Sequence, residues 1–458
     1  MSNKTNILFP IEIANRELDF RLFLAAYCAR PNNRIFIGES NAIYRVVQNT
    51  RGGIYAGKNI FMRLFPGPVQ QLERYEMLKN RGFKLVHLDE EGGVMAGDEE
   101  RWKDWLNKKL DVNCLKPDDH VCTWGKWQEE YYRSLNPACK DNIQTTGHPR
   151  FDLYKPTHRG FYDFDVTKLK ERFGDFVLVN TNFAWSNHHK GVMGLGGAFS
   201  GRWNYNRDDE KKRLDHVGQW AHTWHITVEF VKLVTRLSIE IPHLNYVIRP
   251  HPSENTAFYK TIFNGVPNVH IVHEGSVGPW LLAAKALIHD GCTTAIESHF
   301  CSTPVINYKS VRDERYDLIL PNIFGTKCSS EDEVITELQR VLKEGLREEK
   351  ELPDITAQLF DNFRHDCFSQ YSDAILHVAE TVSSEGSADD FKMRAQTAYW
   401  RIFQRDKDRR AERWEGGLAK WHGFADIDLD RKMQTIQRIL NKEVRYTVQS
   451  ERLMTVEC

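Results

Sequence analysis

Arg249-Pro-His-Pro-Ser-Glu-Asn255 sets an arginine and a histidine around two prolines, directly after the apolar run Asn245–Ile248. Proline fixes φ and removes a backbone donor, so Pro250 and Pro252 hold the Arg249 guanidinium and the His251 imidazole in set directions. A held imidazole can donate a hydrogen bond to a leaving phosphate or protonate it, and a guanidinium can grip an anion bidentately. Ser253 and Asn255 extend the same polar cluster. The plainer alternative is a rigid turn with a structural histidine.

A second cluster is His289-Asp-Gly-Cys-Thr-Thr-Ala-Ile-Glu-Ser298. A strand ending at Asp290, a tight turn at Gly291 and a helix opening at Thr293 and Thr294 would present hydroxyls and free amides to a phosphate. Glu297 lies one turn into that helix, within reach of ribose hydroxyls. The competing reading makes Thr293 an ordinary cap and Glu297 its capping partner.

A third cluster, His87-Leu-Asp-Glu-Glu-Gly-Gly-Val94, puts Asp89, Glu90 and Glu91 at the end of a strand. A carboxylate there can deprotonate an acceptor hydroxyl or attack an anomeric carbon. Crowding is expected to raise the pKa of at least one of the three, and Gly92 and Gly93 to let backbone approach a ligand. Solvated turn acids are the alternative. Asn180-Thr181-Asn182 and Asn15-Arg16-Glu17 are lesser candidates, each after a strand. The histidines of Asn187-His-His189 and His222-Thr-Trp-His225 lack the i,i+4 pairing with a carboxylate that a metal site needs, so no metal is expected. No GxGxxG or P-loop occurs.

These clusters need strand ends to carry them. Runs at Asn6–Phe9, Arg34–Gly38, Asn59–Met62, Phe83–Leu88 and His120–Trp124 predict strands, and helices are predicted over Leu18–Ala29, Gln70–Asn80 and Trp127–Leu135. A second series has strands at Phe176–Asn180, Asn245–Arg249, Asn268–Val272, Ala286–Asp290 and Pro304–Tyr308. Its helices are predicted over Val217–Glu240, Glu331–Leu346 and Ile355–Val378. Crossovers of this length imply two parallel sheets, with ligands bound at the carboxyl ends of their strands, between the domains. Tyr154–Gly160 reads as the connection between them, and Asn187–Asp209 as a long loop near the cleft. The expected division is therefore 1–155, 156–382 and, after a Ser/Gly/Asp linker, a charged helical extension over 383–458.

A chain of 458 residues suits two domains plus an appendage. Its net charge of −1 gives no overall reason to bind nucleic acid or an anionic membrane, so any anion site must be local. The start has no basic segment leading into an apolar core, and no apolar run approaches a membrane span. Nine scattered cysteines without a CxxC pair fit reduced thiols in a cytoplasm. The basic stretch Arg401–Arg413 reads as a solvated helix face balanced by its own acids, with docking on anionic lipid or a lipid-linked acceptor as the other reading.

The chain resembles the bacterial GT-B glycosyltransferases that use CMP-activated ulosonic and nonulosonic acids: sialyl- and polysialyltransferases, Kdo transferases and surface carbohydrate biosynthesis proteins. Glu90-Glu91-Gly92 matches their (D/E)(D/E)G motif, His251-Pro252 their HP motif, and Thr293-Thr294 their paired-hydroxyl motif, where serines are frequent. Gly147-His-Pro-Arg-Phe-Asp152 is similar to the GNPRFD-like sequence of the surface carbohydrate proteins. Asp89 is an additional carboxylate, and the tail beyond about residue 385 lies outside the resemblance. The resemblance implies an α/β fold of two Rossmann-like domains facing across a cleft. It also implies a metal-independent, cytoplasmic transferase; peripheral contact with the inner membrane face belongs only to the docking reading of Arg401–Arg413. Such an enzyme moves an acidic sugar of Kdo, sialic, pseudaminic or legionaminic type from a CMP-sugar co-substrate to a surface glycan, with no further cofactor.

By that resemblance, Glu91 or Glu90 activates the acceptor, with Asp89, Arg16 and Glu17 beside them. His251 assists CMP departure. Thr293 and Thr294 hold its phosphate; by their own positions Arg249, Ser253, Asn255, Asp290, Glu297, Thr181 and Asn182 are expected around the donor as well. A CDP-polyol phosphotransferase of teichoic-acid type is the alternative enzyme, because such proteins carry a similar RPHP element. A non-catalytic scaffold that binds glycan or partner proteins is the third reading.

Overall fold

The computed structural model describes residues 4–58, 69–93, 95–189, 191, 209–345, 352–382, 423–425 and 427–458. Two sheets organise them. In the first, β1 (Thr5–Ile11), β2 (Asn33–Glu39), β3 (Gly53–Ala56), β4 (Phe83–Leu88), β5 (His120–Thr123) and β6 (Ile143–Thr145) run parallel in the order β2-β1-β3-β4-β5-β6. In the second, β7 (Phe176–Asn180), β8 (Asn245–Arg249), β9 (Val269–Ile271), β10 (Ala286–His289), β11 (Val305–Tyr308) and β12 (Thr326–Cys328) are parallel in the order β12-β11-β10-β7-β8-β9. β1, β7, β10 and β11 are buried along their whole length, as strands covered by helices on both faces must be.

Most predicted strands fall within a residue or two of these. The third strand is β3, whereas the run Asn59–Met62 lies outside the described residues. The helices at Ser40–Asn49 and Glu99–Lys109 and the short β6 complete the alternation. The loop expected over Asn187–Asp209 and the basic stretch Arg401–Arg413 lie mostly or wholly outside the described residues.

Between the sheets the chain is not a slack linker. Residues Pro149–Tyr154 and Arg159–Tyr162 form 3-10 turns, with Phe151, Leu153, Tyr154, Phe161 and Tyr162 all buried in the core. The Tyr154–Gly160 stretch, expected as an open connection, is thus part of a packed junction. Gly147 has φ +65, and a Cβ there would press on the Cys367 sulfur.

The helices Asp354–Leu359 and Cys367–Glu380 follow the second sheet in sequence but pack on the first domain. The former lies on the helix Lys126–Leu135, and the latter on the helix Ala14–Cys28 and strands β3 and β4. The helix predicted over Ile355–Val378 is therefore two, separated by a 3-10 turn, and in space it joins the first domain rather than closing the second.

The extension also returns to the first domain. Its helix Leu429–Leu440, capped by the Asp428 side chain, packs on helix Ala14–Cys28. A hairpin follows, of β13 (Arg445–Ser450) and β14 (Leu453–Glu457), and β14 pairs antiparallel with β2. Sequence reading gave the helical character of this extension but not its strands. Among the described residues no helix is long and apolar enough to cross a membrane.

Candidate active site at the domain cleft

In the second sheet, register places His289, Asn180 and Arg249 side by side at the carboxyl ends of β10, β7 and β8. The loops that follow are neighbours on one crest, and two strand spacings of about 4.8 Å put the 290–294 turn roughly 10 Å from the 250–254 turn. The Asn182 side chain spans part of that gap, donating to Gly291 O at 3.4 Å.

Glu254 holds the Pro-His-Pro turn in shape. Its buried carboxylate accepts from His251 N (3.0 Å), Phe183 N (3.0 Å), Thr181 Oγ1 (2.8 Å) and Tyr259 Oη (2.7 Å). Burial raises its pKa, against the pull of those donors. Thr181, expected near the donor, is thus spent on a structural bond. Asn255 caps the short helix Thr256–Ile262, its Oδ1 accepting from Ala257 N. The sequence reading passed over Glu254, although an acid between Pro252 and a helix cap was visible.

His251 Nδ1 accepts from Ser253 N at 3.2 Å, so the neutral ring carries its proton on Nε2. Burial, and then the charge of Arg16, lower its pKa to about 4; Glu91 opposes. Arg16 and Glu91 both belong to the first domain, so this imidazole feels the opposite wall of the cleft. The Arg249 guanidinium donates to Glu274 O (2.6 Å) and Gly275 O (3.1 Å) and stacks over Trp280. Burial lowers its pKa to about 10, which leaves it a cation at neutral pH. It is oriented by carbonyls, and no carboxylate lies within ion-pair distance of it among the described residues.

Gly291 takes φ +62, as its turn requires, and donates its N–H to Asn322 Oδ1. Thr293 makes no side-chain cap on the helix Thr294–Cys301, so the plain capping alternative is not realised. The backbone N–H of Thr293 has no acceptor among the described residues, while the Thr294 N–H and Oγ1 both turn to Cys292 Sγ. A free amide at a helix start is a donor that an anion can use. Asp290 is not part of it: its carboxylate is buried against Lys309 Nζ at 2.6 Å, and burial raises its pKa to about 6. Glu297 is buried, raised in pKa by that burial, and met at Oε1 by Tyr154 Oη and Arg150 Nε, both at 3.4 Å. The charges of Arg16 and Arg249 also act on it. The charge of Arg16 is therefore felt at both the histidine loop and the threonine helix.

In the first domain the three adjacent acids part company. Glu90 is fully buried, 3.2 Å from Arg21 Nη2 and 3.0 Å from His148 Nε2, with Arg150 Nη1 at 3.6 Å. Asp89 Oδ1 accepts from Glu91 N, and its carbonyl takes the Trp124 indole N–H. Glu91 alone meets solvent, with 40% of its side chain exposed, and its two oxygens contact Arg16 (3.3 Å) and Lys109 (2.5 Å). Two expectations are corrected here. Burial works to raise Glu90 and Glu91, but His148 and Arg21 around the one, and Lys109 and Arg16 around the other, outweigh it and hold both below the ordinary carboxylate range. Crowding with cations and hydrogen-bond donors, not with acids, decides the sign. Gly92 and Gly93 do not clear space for a ligand either, since a Cβ on each would strike the Trp124 ring at 2.7 and 2.5 Å. Glu17 turns back to cap its own helix, accepting from Glu12 N and pairing with Lys58.

No protein-family model matches this sequence, and no curated protein matches it. Among solved structures, the wall teichoic acid polymerase TagF soaked with CDPG is similar at TM-score 0.50 and 11% identity, over 83% of this chain and 89% of that one. The UDP-GlcNAc 2-epimerase of Methanocaldococcus jannaschii, in complex with UDP-GlcNAc and UDP, is similar at TM-score 0.46 and 10% identity, over 82% of this chain and 99% of that one. The fold is GT-B. The charges of Arg16 and Glu91 act on His251, and those of Arg16 and Arg249 on Glu297, whereas Glu90, Asp290, Thr181, Asn255 and Glu17 are taken up by supporting contacts. Ser253 contributes backbone contacts to His251 and His189. Lys109 and Lys58 are cleft residues that no sequence motif marked, whereas Arg150 lies within the Gly147–Asp152 motif but was given no role there. Among the described residues no three His, Cys, Asp or Glu side chains gather as a metal site.

Proposed function

We propose that this cleft transfers an acidic sugar of ulosonic type from a CMP-activated donor to a surface-glycan hydroxyl. The observation that carries the reading is His251: a neutral imidazole pinned as an Nε2–H donor on the nucleotide-side crest, under the charges of Arg16 and Glu91 from the facing domain. The bond between the anomeric carbon and the phosphate oxygen breaks, and the electron pair leaves with CMP. The acceptor oxygen forms the new glycosidic bond.

His251 Nε2–H, Arg249 and the free amide of Thr293 stabilise the charge that gathers on the departing phosphate. Donors fixed in place before reaction are worth most in such a site. Glu297, whose Oε2 has no protein partner among the described residues, meets the ribose. Glu91 is the only one of the three clustered acids placed to accept the proton of the acceptor hydroxyl.

The test is CMP release by the purified chain from CMP-N-acetylneuraminate, CMP-Kdo and their pseudaminic and legionaminic counterparts, with CDP-glycerol as the polyol comparison. Release from one acidic-sugar donor, abolished by His251→Ala, is the expected result. Turnover of CDP-glycerol alone, with a phosphodiester product, would move the site to the polyol phosphotransferases. No turnover of any donor, and no thermal shift with CMP or CDP, would leave the reading without support.

A further inference from the structure

Glu91 sits on a turn with its carboxylate divided between two cations from different elements: Oε1 on Arg16 Nη1 at 3.3 Å, Oε2 on Lys109 Nζ at 2.5 Å. Arg16 follows β1, and Lys109 ends the helix Glu99–Lys109. Lys109 is nearly fully buried, lies over the Trp105 ring, and has Asp89 only at 3.8 Å. Arg16 keeps a buried Nε with no hydrogen-bond partner. The two cations are fixed by the fold, whereas Glu91 is the solvent-facing member of the trio, with 40% of its side chain exposed. A buried ammonium needs a counter-anion at all times, because leaving it bare costs several kcal/mol on the order of the desolvation penalty for one ion.

We propose that Arg16 and Lys109 form the subsite for an anionic oxygen group of the substrate, and that Glu91 fills this subsite until the substrate replaces it. This rests on the cleft being the transfer site. The incoming group is a carboxylate on the donor sugar or a phosphate on the acceptor. In either case one bidentate anion takes the place of another between the same two donors, so the cations stay paired throughout. Glu91, released from Arg16 and Lys109, turns to the acceptor hydroxyl. The exchange explains why an acid placed to take that proton is paired with two cations: it becomes basic only when the anion has displaced it.

The experiment is titration calorimetry of the full chain with CMP, with CMP-N-acetylneuraminate, with the methyl ester of that sugar nucleotide, and with glycerol phosphate. Glu91→Gln removes the competing charge, so the acidic ligand is expected to bind roughly tenfold tighter, the size of one charge-assisted hydrogen bond, while CMP and the ester are unmoved. Lys109→Met and Arg16→Gln are expected to weaken the same ligand by a similar factor; Arg16→Gln, at a partly exposed position, serves if Lys109→Met does not fold. A response to the sugar carboxylate assigns the subsite to the donor, and a response to glycerol phosphate assigns it to the acceptor. If CMP binds but Glu91→Gln weakens both anions or leaves both unchanged, the exchange is overturned while the cleft reading stands. If none of the four ligands binds the wild type, both fall.

Discussion

Arg150 Nε lies 3.4 Å from Glu297 Oε1, so one buried guanidinium ties the junction turn after the first sheet to the helix that follows β10. Its Nη1 lies 3.6 Å from Glu90 Oε2, and Glu90 in turn meets Arg21 and His148. The (D/E)(D/E)G acid and the helix acid, 207 positions apart by number, thus share one cation. The motif Gly147–Asp152 matters here because it supplies both His148 and Arg150, not because it touches a ligand.

Removing one partner of such a network strands the others in a dry interior. Arg150→Met and Glu90→Gln are each expected to lower unfolding stability by roughly 3–5 kcal/mol, the cost of breaking a buried pair. Urea unfolding monitored by tryptophan fluorescence checks this. Glu91→Gln takes one carboxylate from the buried Lys109 but leaves it Asp89 at 3.8 Å, and should cost less, about 1–3 kcal/mol, by the same assay.

That contrast marks how far the sequence could be read. Strands β1, β2, β4, β5, β7, β8, β10 and β11 were visible as short apolar runs, because buried parallel strands show no polar face to confuse them. The clusters at 249–255, 289–298 and 89–91 were visible because polar residues at strand ends stand out against those runs. What sequence could not supply was the partner of each acid. Glu90 and Glu91 are adjacent, yet one faces His148 and Arg21 and the other Arg16 and Lys109, contacts 18 to 75 positions away. Lys109, at the end of an unremarkable amphipathic helix, has no local signature. The strands β13 and β14 were missed because their residues read as the end of a charged tail, and only pairing with β2 makes them a sheet.

The C-terminal hairpin covers what would otherwise be the edge of the first sheet. β14 pairs with β2 from Gly38–Leu453 to Ile35–Val456, and Met454 and Val456 are wholly buried. Ending the chain after Asn441 uncovers Ile35 and Ile37 on an unpaired strand, the situation that favours edge-to-edge association. The truncated chain is expected to form soluble aggregates at concentrations where the full chain does not, as light scattering after size exclusion would show. A chain that stays monomeric and equally stable would remove this role.

Stability should fall as the medium turns acidic. His289 is buried at the end of β10, its Nδ1 accepting from Cys292 N, and burial followed by Lys309 lowers its pKa to about 3. In the unfolded chain an imidazole takes its proton near about 6.5. Between these values the unfolded state binds the extra proton, so stability is lost as pH drops from 6.5 toward 3. Asp290 and Asp152, raised to about 6 by burial, act in the opposite sense: the folded state holds their protons, and they add stability as pH falls from 6 toward the ordinary carboxylate value. His289→Gln should flatten the fall in urea midpoint between pH 7 and 6, where imidazoles of the unfolded chain begin to titrate before those aspartates contribute fully. An unchanged slope would assign the acid sensitivity to other groups.

Glu254 offers the sharpest separation of positioning from chemistry. It touches no reacting atom in the proposed transfer, yet its carboxylate gathers four donors, among them the His251 amide. Glu254→Gln keeps the size but replaces one acceptor oxygen with a donor, which must confront at least one of the hydroxyls or N–H groups now satisfied. The cost is roughly 1–3 kcal/mol for a buried group left unpaired. The Pro-His-Pro turn should loosen with it, and a misdirected imidazole should lower kcat by about 10–100-fold, since displacements near 1 Å have effects of that order. KM for the donor should change far less, because Arg249 is oriented separately by Glu274 O and Gly275 O. His251→Ala removes the donor itself, so combining it with Glu254→Gln should slow the reaction no further. A double variant markedly slower than His251→Ala would show that Glu254 acts on the reaction by a route other than the histidine.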